Sequence, residues 1–576
     1  MSKHSVGKLF NCLLFIWFAC GAIFWHLDLS KGTSGNYDTF AMAPYAGFHI
    51  VVFYVLMLLA IGFSKFSLFH LLLLSLYFPI VQLVNYPYLT IRDVYLHAAP
   101  AETVLVDGRL SYPKDPRPEA WPASFNLHAI LTTVLGSDLI NANYVLYLVL
   151  IVAFTLVLYC FAKGLEKKGY RLAIYSSILF LCLFFSHLFD NFHHYSRTAL
   201  GFTFLFLFLF SFMRLKGRMG GLIQILMMLA TFITHPFQSL ALVTFVISYY
   251  LIAHNAKRFG FVLLPSVAFI GWFLFNGSST FSQAVKQLGT FLSPEYAAPV
   301  YNTFVASDVL PWWGVILRDF FKYSLLALLA ISLFVIIMVL HRTRKQREDR
   351  ELPLMLSSLL LMSVVMLLVL LLLPDWKILW SIPFLAFPAA FSSFLLLDRI
   401  RTVGKVRTLA LRLRLSNRKT FAALLLLFVI AMSAAVMVLR FERNQYMAEV
   451  THPSELSSLY FFFGYSFNST AHIVSWRTSV YSTYFNYNSS HITSTLWYTE
   501  LDNLAGNSSA FLNSENKLIS RSQFIIRGLR EEYDIGKRDL PKTLLDIIDE
   551  DFILPKFSQT YSNGYYSVYC RSFRSP

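Results

Sequence analysis

The stretch "TIRDVYLHAAPAETVLVDGRLSYPKD", residues 90–115, decides how the chain is read. It follows long apolar segments and precedes another long series of them. A plain connection between elements needs on the order of 4–6 residues. This one carries Arg92, Asp93, His97, Glu102, Asp107 and Arg109. A carboxylate near the hydrocarbon boundary is expensive to keep there without a task. The stretch is therefore expected to form part of an active site at a membrane surface.

The segments around it set the class. Of 576 residues, 56% are hydrophobic and 14% charged, and 56 are phenylalanine, with a mean hydropathy of +0.56. No soluble globular chain requires that much apolar surface, and repeated apolar runs of about 18 or more residues read as transmembrane helices. About thirteen are expected, near 8–27, 46–63, 67–87, 143–162, 172–188, 198–213, 219–234, 237–253, 260–275, 321–340, 352–373, 378–397 and 420–439. The first, "LFNCLLFIWFACGAIFWHL", follows Lys3 and Lys8 and lacks a small-x-small cleavage site, so it reads as a retained helix.

The net charge of +16 lies in short loops: "KGLEKKGYR", "RLKGR", "AKRF", "HRTRKQREDR" and "DRIRTVGKVRTLALRLRLSNRK". Clusters of this kind mark cytoplasmic loops. Anionic lipid headgroups are their expected partners, and no nucleic-acid motif accompanies them. A cytoplasmic N-terminus puts every basic loop inside, and loops 88–142, 187–197 and 276–320 outside. The Asn-x-Ser/Thr sequons at Asn276, Asn468, Asn488 and Asn507 all fall on that outer side.

The chain thus divides into a helical membrane domain, residues 1–440, and an extracytoplasmic domain, 441–576. Within the latter "HIVSWRTSVYSTYF", "SQFIIRGLREEY" and "YYSVYC" have strand character, with "SNG" as a turn before the last. "PKTLLDIIDED" reads as a helix opened by Pro541. A small α/β or α+β domain is expected. Four of the five cysteines, Cys12, Cys20, Cys160 and Cys182, lie in apolar spans, leaving Cys570 alone, so neither a disulfide framework nor a cysteine metal site is expected.

Asp93 and His97 are four apart and share a face if the segment is helical. Either they do chemistry, or they form an ordinary hydrogen-bonded pair in an interfacial loop. Farther along, Pro113, Pro116, Pro118 and Pro122 interrupt regular helices, and Tyr112, Trp121 and Phe125 are expected to anchor in the headgroup layer. In "SHLFDNFHHYSRTALG", Asp190, His193, His194, Tyr195 and Arg197 crowd one outer turn. That combination suits a phosphate, or a metal ion although adjacent histidines are a weak ligand spacing, and a structural polar cluster uses the same residues. His235, Arg318 and Lys322 are expected at the same face, where a lipid-linked phosphate would meet several cations.

The layout, with "RDVYLH", "DGRLSYP", "WPASF", "THP" and "TYSNGYYSVY", resembles the GT-C superfamily of membrane glycosyltransferases, archaeal-type members above all. The resemblance implies a polyprenyl- or dolichyl-phosphate sugar as donor and a glycan, lipid or protein acceptor at the outer face of the cell membrane. It implies an inverting displacement with Asp93 as base and His97 assisting. Arg92, Glu102, Asp107, Arg109, Asp190, His193, His194, Arg197, His235, Arg318 and Lys322 are the expected substrate-binding residues. The Trp-Trp-Asp-Tyr-Gly signature of oligosaccharyltransferases is absent, as is any Asp-x-Asp in the outer loops, so a divalent metal stays open as a cofactor without a motif to support it, and no metal ligand is assigned. Two other functions compete. A lipid-linked oligosaccharide flippase calls for charges inside the spans. A non-catalytic scaffold for surface-polymer assembly would tolerate Asp93→Asn.

Overall fold

The computed structural model describes residues 3–32, 49, 52–53, 55–57, 59–60, 67–85, 93–109, 121–166, 195–215, 217–253, 259–276, 354, 358–359, 361–362, 364–366, 471–474, 492–494, 524–528, 553–555, 557–562 and 566–571. Its helices are α1 (Lys3–Gly32), α2 (Leu68–Asn85), α3 (Asp93–Asp107), α4 (Ala123–Leu135), α5 (Leu139–Glu166), α6 (Arg197–Arg214), α7 (Gly217–Phe232), α8 (Pro236–Ala253) and α9 (Phe259–Phe275). Two compact units emerge. One comprises Met1–Asn85, Tyr112–Leu127 and Tyr144–Asn444; the other comprises Tyr86–Ser111, His128–Asn143 and Gln445–Pro576.

In the first unit α1 packs on α2, while α6, α7, α8 and α9 pack as a group. Among the described residues, Leu139–Cys160 and Arg197–Arg214 are long and apolar enough to cross a membrane. Their neighbours share an inverted pattern. On α7, Met219, Leu222, Leu226 and Leu229 are exposed, whereas Gln224 and Thr231 are buried. Apolar side chains facing outward are costly in water and at no disadvantage in lipid. The buried hydroxyls are satisfied locally: Thr155, Thr203 and Thr231 donate to the carbonyls of Ile151, Ala199 and Met227 at 2.8, 2.9 and 2.7 Å. Gln224 closes the end of α6, donating to Ser211 O and Leu215 O at 3.3 Å each.

The first helices also pair their polar groups. Ser67 donates its backbone N–H to His70 Nδ1 (3.2 Å), so the His70 Nε2–H faces Asn11 Oδ1 at 3.1 Å. His49 is buried between the Trp17 carbonyl (2.5 Å from Nε2) and the Tyr77 hydroxyl at Nδ1, with its ring stacked on Trp17 at 5.0 Å.

In the second unit glycines end two helices. Gly108, with φ +67°, donates to Val104 O at 3.1 Å and closes α3. At the end of α4, Gly136 (φ +58°) donates to Thr133 O at 3.2 Å and Ser137 N to Thr132 O at 3.3 Å, a Schellman motif. Asp138 then caps α5, accepting from Asn141 N at 2.8 Å and Asn141 Nδ2 at 2.6 Å. The stretch expected as one outer loop, 88–142, thus contains the whole of α3 and α4, with Pro100 inside α3. A helix of 13 residues spans about 20 Å, too short for a bilayer core of about 30 Å.

The unit also holds a five-stranded sheet of order β2-β1-β3-β5-β4: β1 (Ala471–Val474), β2 (Ile492–Ser494), β3 (Phe524–Gly528), β4 (Phe557–Ser562) and β5 (Tyr566–Arg571). β1 runs parallel to β2 and β3, while β5 pairs antiparallel with β3 and β4. Three strands lie where strand character was expected. The expected turn at "SNG" falls between β4 and β5, whose ends pair at Ser562 and Ser567. Phe557 and Arg571 are paired across that hairpin, the guanidinium 5.5 Å from the ring centre. β2 and β4 are additions to the sequence reading. The expected helix at 541–551 and the spans near 172–188, 321–340, 378–397 and 420–439 lie outside the described residues.

Candidate functional site

In the first unit the polar chemistry gathers where α6 begins. Ser196 is the N-cap (φ −137°, ψ 156°), its hydroxyl accepting from Ala199 N at 3.1 Å, and Arg197 is the first helical residue. No acidic residue occupies the first turn. A helix N-terminus carries about half a positive charge, so a carboxylate is the usual occupant and an arginine is unfavourable there on its own.

His235 lies beside it, in the turn between α7 and α8. Phe237 N donates to His235 Nδ1 at 3.3 Å, which puts the neutral ring's proton on Nε2, 3.4 Å from Thr198 Oγ1. Complete burial holds the ring's pKa well below the ordinary histidine range. The charge of Arg197 pushes the same way, and the Gln238 side chain opposes them. His235 is therefore neutral at physiological pH and adds no charge to the cluster, in contrast to Arg197. Gly201 permits this packing: a Cβ there would lie 3.2 Å from Gln238 and from His235 Cβ.

The entry to α4 is tied to the same place. Ala123 N donates to Ile233 O at 3.1 Å, and the Tyr195 hydroxyl donates to Ser124 O at 2.9 Å. Burial pushes the Tyr195 phenol far above its usual range. Trp121 is only 1% exposed, its ring 6.2 Å from that of Phe273. It packs inside the protein rather than anchoring in the headgroups, as does buried Phe125. Trp121 Nε1, Ser124 Oγ and Gln238 Oε1 are buried without a hydrogen bond among the described residues. Of this group the sequence singled out Trp121, Tyr195, Arg197 and His235. Thr198, Gln238 and Ser124 carry no signal beyond their nearness to those motifs.

In the second unit α3 opens at Asp93, and His97 follows one turn later in the same helix. Glu102 is half-buried, with Oε2 sealed from solvent and without a hydrogen bond among the described residues. Burial raises its pKa to about 6. Asp107 and Arg109, at the end of α3, are exposed. Arg92, Asp190, His193, His194, Arg318 and Lys322 lie outside the described residues. Among the described residues no group of three His, Cys, Asp or Glu side chains is placed to hold a metal ion.

No protein-family profile matches the chain, and no curated protein does. Among solved structures it is similar to ArnT from Cupriavidus metallidurans in the apo state: 10% identity, a TM-score of 0.45, and 87% of this chain and 96% of that one covered. It is similar as well to ArnT from the same organism bound to undecaprenyl phosphate: 11% identity, a TM-score of 0.45, and 88% and 98% covered.

Proposed function

We propose that the protein is a membrane glycosyltransferase that moves a sugar from a polyprenyl- or dolichyl-phosphate donor to a glycan, lipid or protein acceptor. The reaction takes place at the outer face of the cell membrane, with the N-terminus cytoplasmic and the C-terminal segment outside. The carrying observation is that Arg197 opens α6, at the positive end of that helix's dipole, with buried His235 and Thr198 beside it. This arrangement supports a bound anion, and a lipid-linked phosphate is the anion that the GT-C resemblance of the sequence supplies.

In this reading Arg197 and the α6 backbone N–H groups hold the donor phosphate and stabilise the charge it gains on leaving. The acceptor oxygen attacks the anomeric carbon from the opposite side, inverting it. A carboxylate removes the acceptor's proton, and the resemblance assigns that role to Asp93.

Transfer from labelled polyprenyl-phosphate hexoses by the purified protein tests the proposal. Arg197→Ala is expected to raise the donor KM by at least 10-fold, because a hydrogen bond to a charged group contributes about 1.5–3 kcal/mol. Absence of transfer from every hexose offered, together with movement of lipid-linked oligosaccharide across vesicles containing the protein, would replace the enzyme with a flippase.

A further inference from the structure

Within the first unit, helices α6 to α9 leave a cleft between them toward the end remote from Arg197. Phe208 and Phe212 of α6, Ile225 of α7, Val246 of α8 and Leu264 of α9 line it, around about 460 Å³ of empty space. From this cleft and the cations beside it we infer a binding site for an anionic phospholipid. Its acyl chain occupies the cleft and its phosphate lies on Arg218 and Arg214, in the leaflet that the expected topology makes cytoplasmic.

The cleft suits hydrocarbon. Among its lining residues only Gln224 is polar, and the amide nitrogen of that residue is committed to Ser211 O and Leu215 O at 3.3 Å each. The aromatic wall is held in place by its own contacts. Phe212 stacks with Phe208 at 5.8 Å and meets Tyr249 edge-on at 4.9 Å. Apolar atoms that face a gap lose their dispersion contacts, and a chain drawn from the bilayer restores them. Leu264, 57% exposed, gives such a chain a way in.

The charge beside the cleft is of one sign. Residues 191–294 contain neither aspartate nor glutamate. Arg214 is the last residue of α6 and Arg218 the second of α7, and both are exposed. Arg218 precedes Ile225 by seven residues, about two turns, so it shares the face of α7 that lines the cleft, about 10 Å farther along the axis. Lys216 stands between the two arginines in the sequence, and Lys257 and Arg258 immediately precede α9. Val246, in the later half of α8, and Leu264, early in α9, line the same cleft. The connection carrying Lys257 and Arg258 therefore joins at that end too. A basic cluster without acids beside an apolar cleft matches both parts of an anionic phospholipid.

This site is separate from the one at Arg197. α6 is 18 residues long, so its two terminal arginines lie about 26 Å apart along the axis, close to the thickness of a bilayer core. The inference thus holds whichever reaction the other end performs.

Photolabelling tests it. The full-length protein in detergent micelles is exposed to a phosphatidylglycerol carrying a diazirine on one acyl chain, and adducts are located by peptide mass spectrometry. Labels are expected at 208–212, 224–228 and 264. Unlabelled dioleoylphosphatidylglycerol should displace them at a concentration at least about 10-fold lower than dioleoylphosphatidylcholine, from two cations acting on one phosphate. Arg214→Gln with Arg218→Gln should erase that preference. Leu264→Trp, a change at an exposed position that sets a ring across the opening, should remove the labels while thermal unfolding shows the protein still folded. Equal displacement by the two lipids, or a preference that survives loss of both arginines, overturns the inference. So do labels spread evenly over the outward faces of α7 and α9, or none at all. Displacement by glycerol 3-phosphate as effective as by the lipid would mean an anion held without the cleft, and overturns it as well.

Discussion

His128 shows how much one buried side chain sets the behaviour of this protein. It lies on α4 outside the expected spans, buried, with Nε2 donating to Leu139 O at 2.8 Å across the corner to α5. Burial lowers its pKa from 6.5 to about 4, the carbonyl contact opposing in part. The folded-state pKa lies below the unfolded one, so its stabilising contribution is present above about pH 6.5 and lost as the pH falls through about 4. A shift of that size corresponds to about 3 kcal/mol as an order of magnitude. Wild type should therefore lose more thermal stability than His128→Gln between pH 6.5 and 4. Parallel melting curves across that range would show that the ring is not the group responsible. Glu102 has the opposite sense: its pKa is raised, so its ionisation costs stability as the pH rises from about 4.5 to about 6. Glu102→Gln should melt higher than wild type at pH 8 and equally at pH 4. Neither behaviour is legible in the sequence. "NLHAILTTVLG" reads as apolar with one histidine, and only the fold decides whether that histidine meets water or a carbonyl.

At the scale of an element, adjacent glycines in α7 differ in what surrounds them. A Cβ on Gly220 would lie 2.7 Å from the Leu215 carbonyl carbon and 2.8 Å from its oxygen, whereas one on Gly221 would meet nothing within 4 Å. Alanine gains about 1 kcal/mol over glycine in a helix, while forcing backbone apart costs about 1–3 kcal/mol. Gly221→Ala should thus be neutral or stabilising and Gly220→Ala destabilising, measured by thermal melting in detergent. If the two melt alike, the close approach of α7 to the end of α6 is wrong. The apolar runs announced α5 to α9 to within a few residues, since length and hydropathy decide helices in lipid. The helices inside the outer loop were harder. Pro100 argued against α3 by local preference, and the stop signals, Gly108 and Gly136, are recognisable only once the helices they close are in view. Arg197 and His235 stood out in the sequence as polar residues among apolar ones. Their unequal charge did not, because it depends on burial that no motif records.

Across the whole molecule, the order of the sheet determines what an incomplete chain would expose. β3 has β1 on one side and β5 on the other, and β5 is in turn covered by β4. The parallel strands β1, β2 and β3 are all made before the hairpin that shields them. A strand left without its neighbour presents a row of unpaired N–H and C=O groups, a template for joining other chains. A stop after residue 555 should therefore turn Phe524–Gly528 from an interior strand into an open border. Such a chain should migrate as higher oligomers on size exclusion, where the full-length protein gives a single species; equal profiles would mean that the border is covered by other means. The β4–β5 hairpin then serves as a seal over β3, and a chain released without it sticks to its own copies.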